Sequence, residues 1–123
     1  MKVTRILHHS VNVEGGLDEN VAFYRRLGLA DLPRPSIPGI GGHWFGVGEA
    51  QVHLVDAPQG EAAIRPTGPH VCFGVADLEA AIGELERDAV PYVRAAQGDV
   101  VQIWVTDPAG NTIELQQDPD VAR

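Results

Sequence analysis

His70-Val71-Cys72-Phe73-Gly74-Val75-Ala76-Asp77-Leu78, set beside Leu7-His8-His9-Ser10-Val11-Asn12-Val13, is the stretch that decides the fold. Both carry a histidine followed by apolar residues at every second position, the pattern of a strand with one buried face. Val71, Phe73 and Val75 share one side of the later strand, and Val11 and Val13 share one side of the earlier one. The earlier strand is expected over Val3 to Val13.

A helix is expected after each strand. Gly15-Gly16 break the first strand, and Leu17-Asp18-Glu19-Asn20 opens a helix with Asp18 as its expected cap. Val21, Tyr24 and Leu27-Gly28 supply its apolar stripe and glycine stop. In the later copy Asp77-Leu78 begins a helix whose Leu78, Ile82 and Leu85 recur at helical spacing.

Further along, Pro33, Pro35 and Pro38 allow only an irregular or edge strand between Leu29 and Ile40. Strands His43–Val47 and Gln51–Val55 follow, joined by Gly48-Glu49-Ala50. A linker rich in Gly, Pro and Ala runs from Ala57 to Pro69. In the second half Pro91–Ala95, Val100–Thr106 and Thr112–Gln117 read as strands, the last two separated by the turn Asp107-Pro108-Ala109-Gly110-Asn111. The order β-α-β-β-β therefore occurs twice. It implies an α+β fold, with two βαβββ modules forming a cupped mixed sheet around a central cleft. Module one would span about 1–57 and module two about 68–118, within one domain of 123 residues.

Composition narrows the function classes. Apolar content of 44% and charged content of 21% are those of a globular chain rather than a disordered one. No run approaches the roughly 20 apolar residues of a membrane span. The N-terminal residues do not read as a signal peptide, so a cytoplasmic location is expected. The lone Cys72 cannot form an internal disulfide and agrees with a reducing compartment. A formal charge of −8 repels phosphate backbones and anionic lipid, and Arg25-Arg26 is the one short basic pair. Neither nucleic acid nor membrane is expected as a partner.

Polar residues of the two halves fall in register. Val52-His53-Leu54 corresponds to Ile113-Glu114-Leu115, and the intervals from His8 to His53 and from His70 to Glu114 agree within one residue. Strand parity places His8 opposite Val11 and Val13 and selects it as the counterpart of His70. Counting back from the helix favours His9 instead. A single strand histidine is more often packed or solvated than a ligand. Four such residues facing one way, His8, His53, His70 and Glu114, point to a divalent metal ion such as Zn, Ni, Mn or Fe. Cys72 would face the same cleft or be a small core residue. His43 would line the cleft mouth or be a surface imidazole. Phe23-Tyr24 reads as core, and Arg65 as a solvated loop residue or a partner for an anionic substrate.

These motifs resemble the vicinal oxygen chelate superfamily, which includes glyoxalase I, extradiol dioxygenases, methylmalonyl-CoA epimerase, and fosfomycin and bleomycin resistance proteins. The resemblance is carried by Leu7 to Val13, Ala22-Phe23-Tyr24 with Leu27-Gly28-Leu29, Gln51 to Leu54, His70 to Leu78 and Asp107 to Leu115. It implies a paired-βαβββ cupped sheet, a homodimer, and metal ligands at His8, His53, His70 and Glu114. Glyoxalase I commonly has glutamate where this chain has His53. The extradiol and fosfomycin enzymes use two histidines and one carboxylate, so His53 would be a fourth ligand. Bleomycin-sequestering members lack a metal set.

The expected function is a metal-dependent enzyme acting on a small molecule that binds the ion through neighbouring oxygens, by lyase, isomerase or dioxygenase chemistry. Glu114 is the expected catalytic residue, either staying a ligand or detaching to move a proton. The alternatives are a metal-free protein that sequesters an aromatic or antibiotic ligand, and a redox enzyme using Fe²⁺ and O₂.

Overall fold

The computed structural model of the chain describes residues 2, 4–58, 63–66 and 69–121. They belong to two compact units, Met1–Glu61 and Ala62–Arg123. Val3, where the first strand was expected to begin, lies outside the described residues, as do linker residues 59–62 and 67–68.

The first unit holds β1 (His8–Asn12), α1 (Leu17–Arg26), β2 (Ala30–Leu32), β3 (Gly42–Val47) and β4 (Ala50–Val55). Its sheet runs β1-β4-β3-β2, with β1 parallel to β4 and the other pairs antiparallel. A parallel pair cannot be closed by a tight turn, so the chain crosses over through α1 and returns by the β2–β3–β4 meander. Residues 4–7 are not in a strand, which makes β1 shorter than its apolar content suggested. Ile6 and Leu7 are exposed there, so no burial supports extended pairing. The proline cluster acts as expected: β2 is a three-residue edge strand that stops just before Pro33.

The helix covers one face of this sheet. Val11, Val13, Val21, Tyr24, Leu29, Phe45, Val52 and Leu54 are all buried, and α1 contacts β3 and β4. Fully burying side chains such as Phe45 and Leu54 contributes roughly 1.5–3 kcal/mol each. Tyr24 is buried as expected, its ring centroid 6.0 Å from that of Phe45, while Phe23 stays half-buried. The helix begins differently from its sequence signal. Gly16 is the N-cap and no side chain caps it; Asp18 lies within the first turn, where its charge meets the positive helix end. At the other end Gly28 takes φ 92°, and Leu29 N–H reaches back to Tyr24 C=O at 3.3 Å, closing the last turn.

The second unit repeats the order with β5 (His70–Val75), α2 (Leu78–Arg87), β6 (Val93–Gln97), β7 (Val100–Thr106) and β8 (Thr112–Gln117). Its sheet runs β5-β8-β7-β6, again with one parallel pair, β5 with β8. Two four-stranded mixed sheets, each with one helix, are thus the two βαβββ modules. Phe73, Leu78, Ile82, Ile103, Val105, Ile113 and Leu115 are buried here. Asp77 is a true N-cap, its carboxylate accepting Ala80 N–H at 3.0 Å. Gln117 Oε1 accepts Leu78 N–H at 3.0 Å, tying the end of β8 to the start of α2. The turn before β8 is held by buried Asp107, whose two oxygens accept the backbone N–H and the side-chain amide of Asn111, each at 2.8 Å. β6 begins at Val93, two residues later than Pro91 suggested. Among the described residues no helix is long and apolar enough to cross a membrane.

The unequal caps give a direct comparison. Asp77→Ala should cost about 1 kcal/mol, through the lost Ala80 bond. Asp18→Ala should cost a few tenths, through helix-end electrostatics alone. Urea unfolding midpoints of the two variants check this.

Candidate functional site

Neighbouring residues across a strand pair point to the same side of the sheet, so register assigns every side chain to a face. In the first unit Ser10 stands opposite His53, and His8 opposite Gln51. Across the other edge of β4, Trp44 stands opposite His53. His8, Ser10, Trp44, Gln51 and His53 therefore share the face away from α1. His9 pairs with Val52 and lies on the helix side, where it is half-buried.

His53 is the centre of this face. Its ring lies against Trp44, centroids 3.9 Å apart and planes 4° apart, and against His8 at 4.3 Å and 16°. Its Nε2 is 2.8 Å from Gln51 Oε1. With the amide oxygen as acceptor, Nε2 carries the proton and Nδ1 keeps a lone pair. Burial holds the His53 imidazole below its ordinary value of 6.5, and the nearby His8 and Arg34 lower it further. A neutral imidazole is the form that binds a metal ion.

The second unit has the same layout with different chemistry. Glu114 stands opposite Cys72 on β5 and opposite Trp104 on β7, and His70 sits two positions before Cys72. The strand register thus makes His8 and His70 equivalent, His53 and Glu114 equivalent, and Ser10 and Cys72 equivalent. It also pairs Trp44 with Trp104, which sequence reasoning missed. The signal was present, since these are the chain's only tryptophans and each precedes the His53 or Glu114 strand at nearly the same interval.

Glu114 is only 3% exposed. Its Oε1 lies 3.1 Å from His70 Nε2, and its Oε2 accepts side-chain amide bonds from Gln102 at 3.2 Å and from Gln116. The Trp104 ring meets the His70 ring edge-on at 4.9 Å, and its buried Nε1–H has no hydrogen-bond partner among the described residues. Cys72 is not the small core residue that was one expectation: it is exposed, on the Glu114 side of the sheet. Partial burial of its sulfur pushes the thiol up to about 12, with the Glu114 charge and a hydrogen bond to Glu114 adding to the effect. Such a thiol is not a nucleophile at neutral pH.

Two other candidates lie elsewhere. His43 pairs with Leu54, so it stands on the helix side of β3, not with His53. Its Nε2 is 2.7 Å from Asp31 Oδ1, which also receives Arg25 Nε at 3.0 Å. The Arg25 guanidinium first, and then His43, hold the Asp31 carboxyl below its usual range. Arg65 is exposed, and its backbone N–H donates to Thr112 Oγ1 at 2.8 Å.

The four expected ligands thus occur as two pairs, His8 with His53 and His70 with Glu114. Among the described residues no group of three or more His, Cys, Asp or Glu is gathered as a metal-holding cluster. The donor chemistry nevertheless fits a borderline divalent ion. His70 Nε2 and Glu114 Oε1, an imidazole nitrogen and a carboxylate oxygen, stand 3.1 Å apart.

Fold and site define a member of a paired-βαβββ class, and comparison with known proteins makes the class specific. The chain belongs to the Glyoxalase/Bleomycin resistance protein/Dioxygenase superfamily, whose family model matches residues 5–115. It is similar to a glyoxalase family protein from Bacillus anthracis, with 28% identity, a TM-score of 0.82, and coverage of 96% of this chain and 98% of that one. A lactoylglutathione lyase from Agrobacterium tumefaciens shares the fold at 21% identity and a TM-score of 0.73, with coverage of 95% and 96%. So does a glyoxylase/bleomycin resistance protein/dioxygenase domain from Frankia sp. EAN1pec, at 16% identity and a TM-score of 0.74, covering 97% and 95%. Among curated proteins, none matches the chain.

The lowered His53 imidazole sets a pH dependence. Near its ordinary value of 6.5 the unfolded chain binds this proton more readily than the folded one, so stability is complete above that pH and falls below it. In chelator-treated protein the urea midpoint should drop as pH falls through about 6.5. His53→Gln should flatten that drop, and an NMR titration should place His53 below the unfolded value.

Proposed function

We propose that this chain is a metal-dependent enzyme of its superfamily, with His8, His53, His70 and Glu114 as the ligands of one divalent ion. The observation that carries the reading is the register itself. It sets an imidazole pair and an imidazole–carboxylate pair at equivalent positions of the two sheets, each on the face its helix leaves open.

Once bound, the ion supplies Lewis acidity toward two neighbouring oxygens of a small substrate. The chain's own residues do the rest. Trp44 and His8 hold the His53 ring from both sides, and Gln51 selects its tautomer. Three neutral imidazoles and one carboxylate leave a net charge of +1 around a divalent ion, which suits an anionic substrate. Lyase or isomerase chemistry would require only a proton shift in the substrate, whereas dioxygenase chemistry would require Fe²⁺ and O₂. The chain acts as a homodimer in this reading, which sedimentation at micromolar concentration tests.

Protein purified without chelator should carry about one divalent ion per site and lose it on acidification, because protonated imidazole cannot bind. His8→Ala should weaken binding strongly. His9→Ala, on the helix side, should leave affinity nearly unchanged and cost stability on the order of ~1 kcal/mol. Metal analysis and titration decide between the readings. A protein that stays metal-free after supplementation with Zn²⁺, Mn²⁺, Fe²⁺, Co²⁺ and Ni²⁺ overturns the metal-dependent enzyme and leaves the ligand-sequestering alternative.

A further inference from the structure

Glu114 is contacted at both of its oxygens, and unequally. Gln116 follows it by two residues on β8 and so projects from the same face. Gln102 reaches it from β7, two residues before Trp104 and on Trp104's face. Both the Gln102 amide, at 3.2 Å, and the Gln116 amide donate to Oε2. The orientation of each amide is dictated chemically, since a carboxylate oxygen can only accept and must be met by the NH₂ end. Oε1 is approached instead by His70 Nε2, at 3.1 Å.

A carboxylate oxygen offers two in-plane lone pairs, and at Oε2 two amide donors claim both. Turning the carboxylate away would break two hydrogen bonds in a place where Glu114 is 3% exposed and water cannot replace them. Cys72, hydrogen-bonded to the same carboxylate, adds a further restraint.

We propose that Gln102 and Gln116 are positioning residues that lock Glu114 as a one-oxygen ligand, leaving Oε1 as its only donor atom. This deepens the metal reading and rests on it. It also removes Glu114 from proton transfer. A carboxylate that serves as a mobile base must swing between ion and substrate, and the two amides prevent that swing. The base of the reaction is then a different group, and Glu114 stays bound throughout.

The test has one arm without metal and one with it. In chelator-treated protein, the side-chain amide protons of Gln102 and Gln116 should exchange slowly with solvent by NMR, and Glu114→Ala should abolish that protection. In the second arm, competition against a chromophoric chelator should show Gln116→Leu and Gln102→Leu each binding Zn²⁺ about 10- to 100-fold more weakly than wild type. The visible spectrum of the Co²⁺ form should change in both variants as the released carboxylate binds through two oxygens, a change that loss of packing alone does not produce. Two variants on different strands guard against one failing to fold. Unprotected amides overturn the lock whatever the metal does. Leucine variants that match wild type in Zn²⁺ affinity and Co²⁺ spectrum overturn the positioning role. Protected amides in a wild-type protein that binds no metal overturn the metal reading and leave the lock on Glu114 standing.

Discussion

The parallel pairs β1–β4 and β5–β8 sit at the centre of everything the two sheets do. Each pair joins the first and last strands of its module, more than forty residues apart, and each sets the register that brings a histidine onto the face of the key residue of the last strand. Because a strand alternates sides residue by residue, the same pairing sends Val11, Val52 and Leu54 to the helix and leaves His8 and His53 on the other face. A slip of one residue would exchange the two sets. The buried apolar face therefore stabilises the polar one, since moving either moves both.

The two modules use one geometry for different chemistry. In the first, a neutral imidazole is sandwiched between an indole and another imidazole, and burial disfavours its charged form. In the second, a carboxylate occupies the equivalent place and is surrounded by donors: two amides, an imidazole and a thiol. Each environment suits the charge of its occupant, as low-dielectric sites require. The indoles differ as well. Trp44 stacks flat on His53, whereas Trp104 turns its edge to His70 and buries its N–H. The repeat has kept positions and changed contents.

Membership of the Glyoxalase/Bleomycin resistance protein/Dioxygenase superfamily accounts for the module pattern over residues 5–115. It does not choose a reaction, because one fold hosts several chemistries and function resides in the side chains placed on it. In the proposed reading those side chains are the imidazole pair, the imidazole–carboxylate pair and the glutamines around Glu114. Their arrangement favours a carboxylate that holds still over one that moves.

Much of this was written in local sequence. Alternating Val11-Asn12-Val13 and Val71-Cys72-Phe73 fixed strand faces, helical spacing of Leu78 and Ile82 fixed a helix, and the prolines after Leu32 ended β2. These are short-range properties, legible without knowing where the chain goes next. Parity likewise separated His8 from His9, since the two faces of a strand are fixed by its own apolar residues. Other features were decided only by tertiary structure. Whether Asp18 or Gly16 caps α1 depended on how the crossover leaves β1. That His43 binds Asp31 rather than joining His53 depended on the β2–β3 register. The stacking of Trp44 on His53 and the Gln102 amide on Glu114 link residues on neighbouring strands, 9 and 12 positions apart, while Gln116 lies on β8 beside Glu114. Sequence determined which face each side chain occupies, because alternation is a property of one strand. Tertiary structure decided which atoms of neighbouring strands meet on that face, because a contact between strands needs the two in a fixed register.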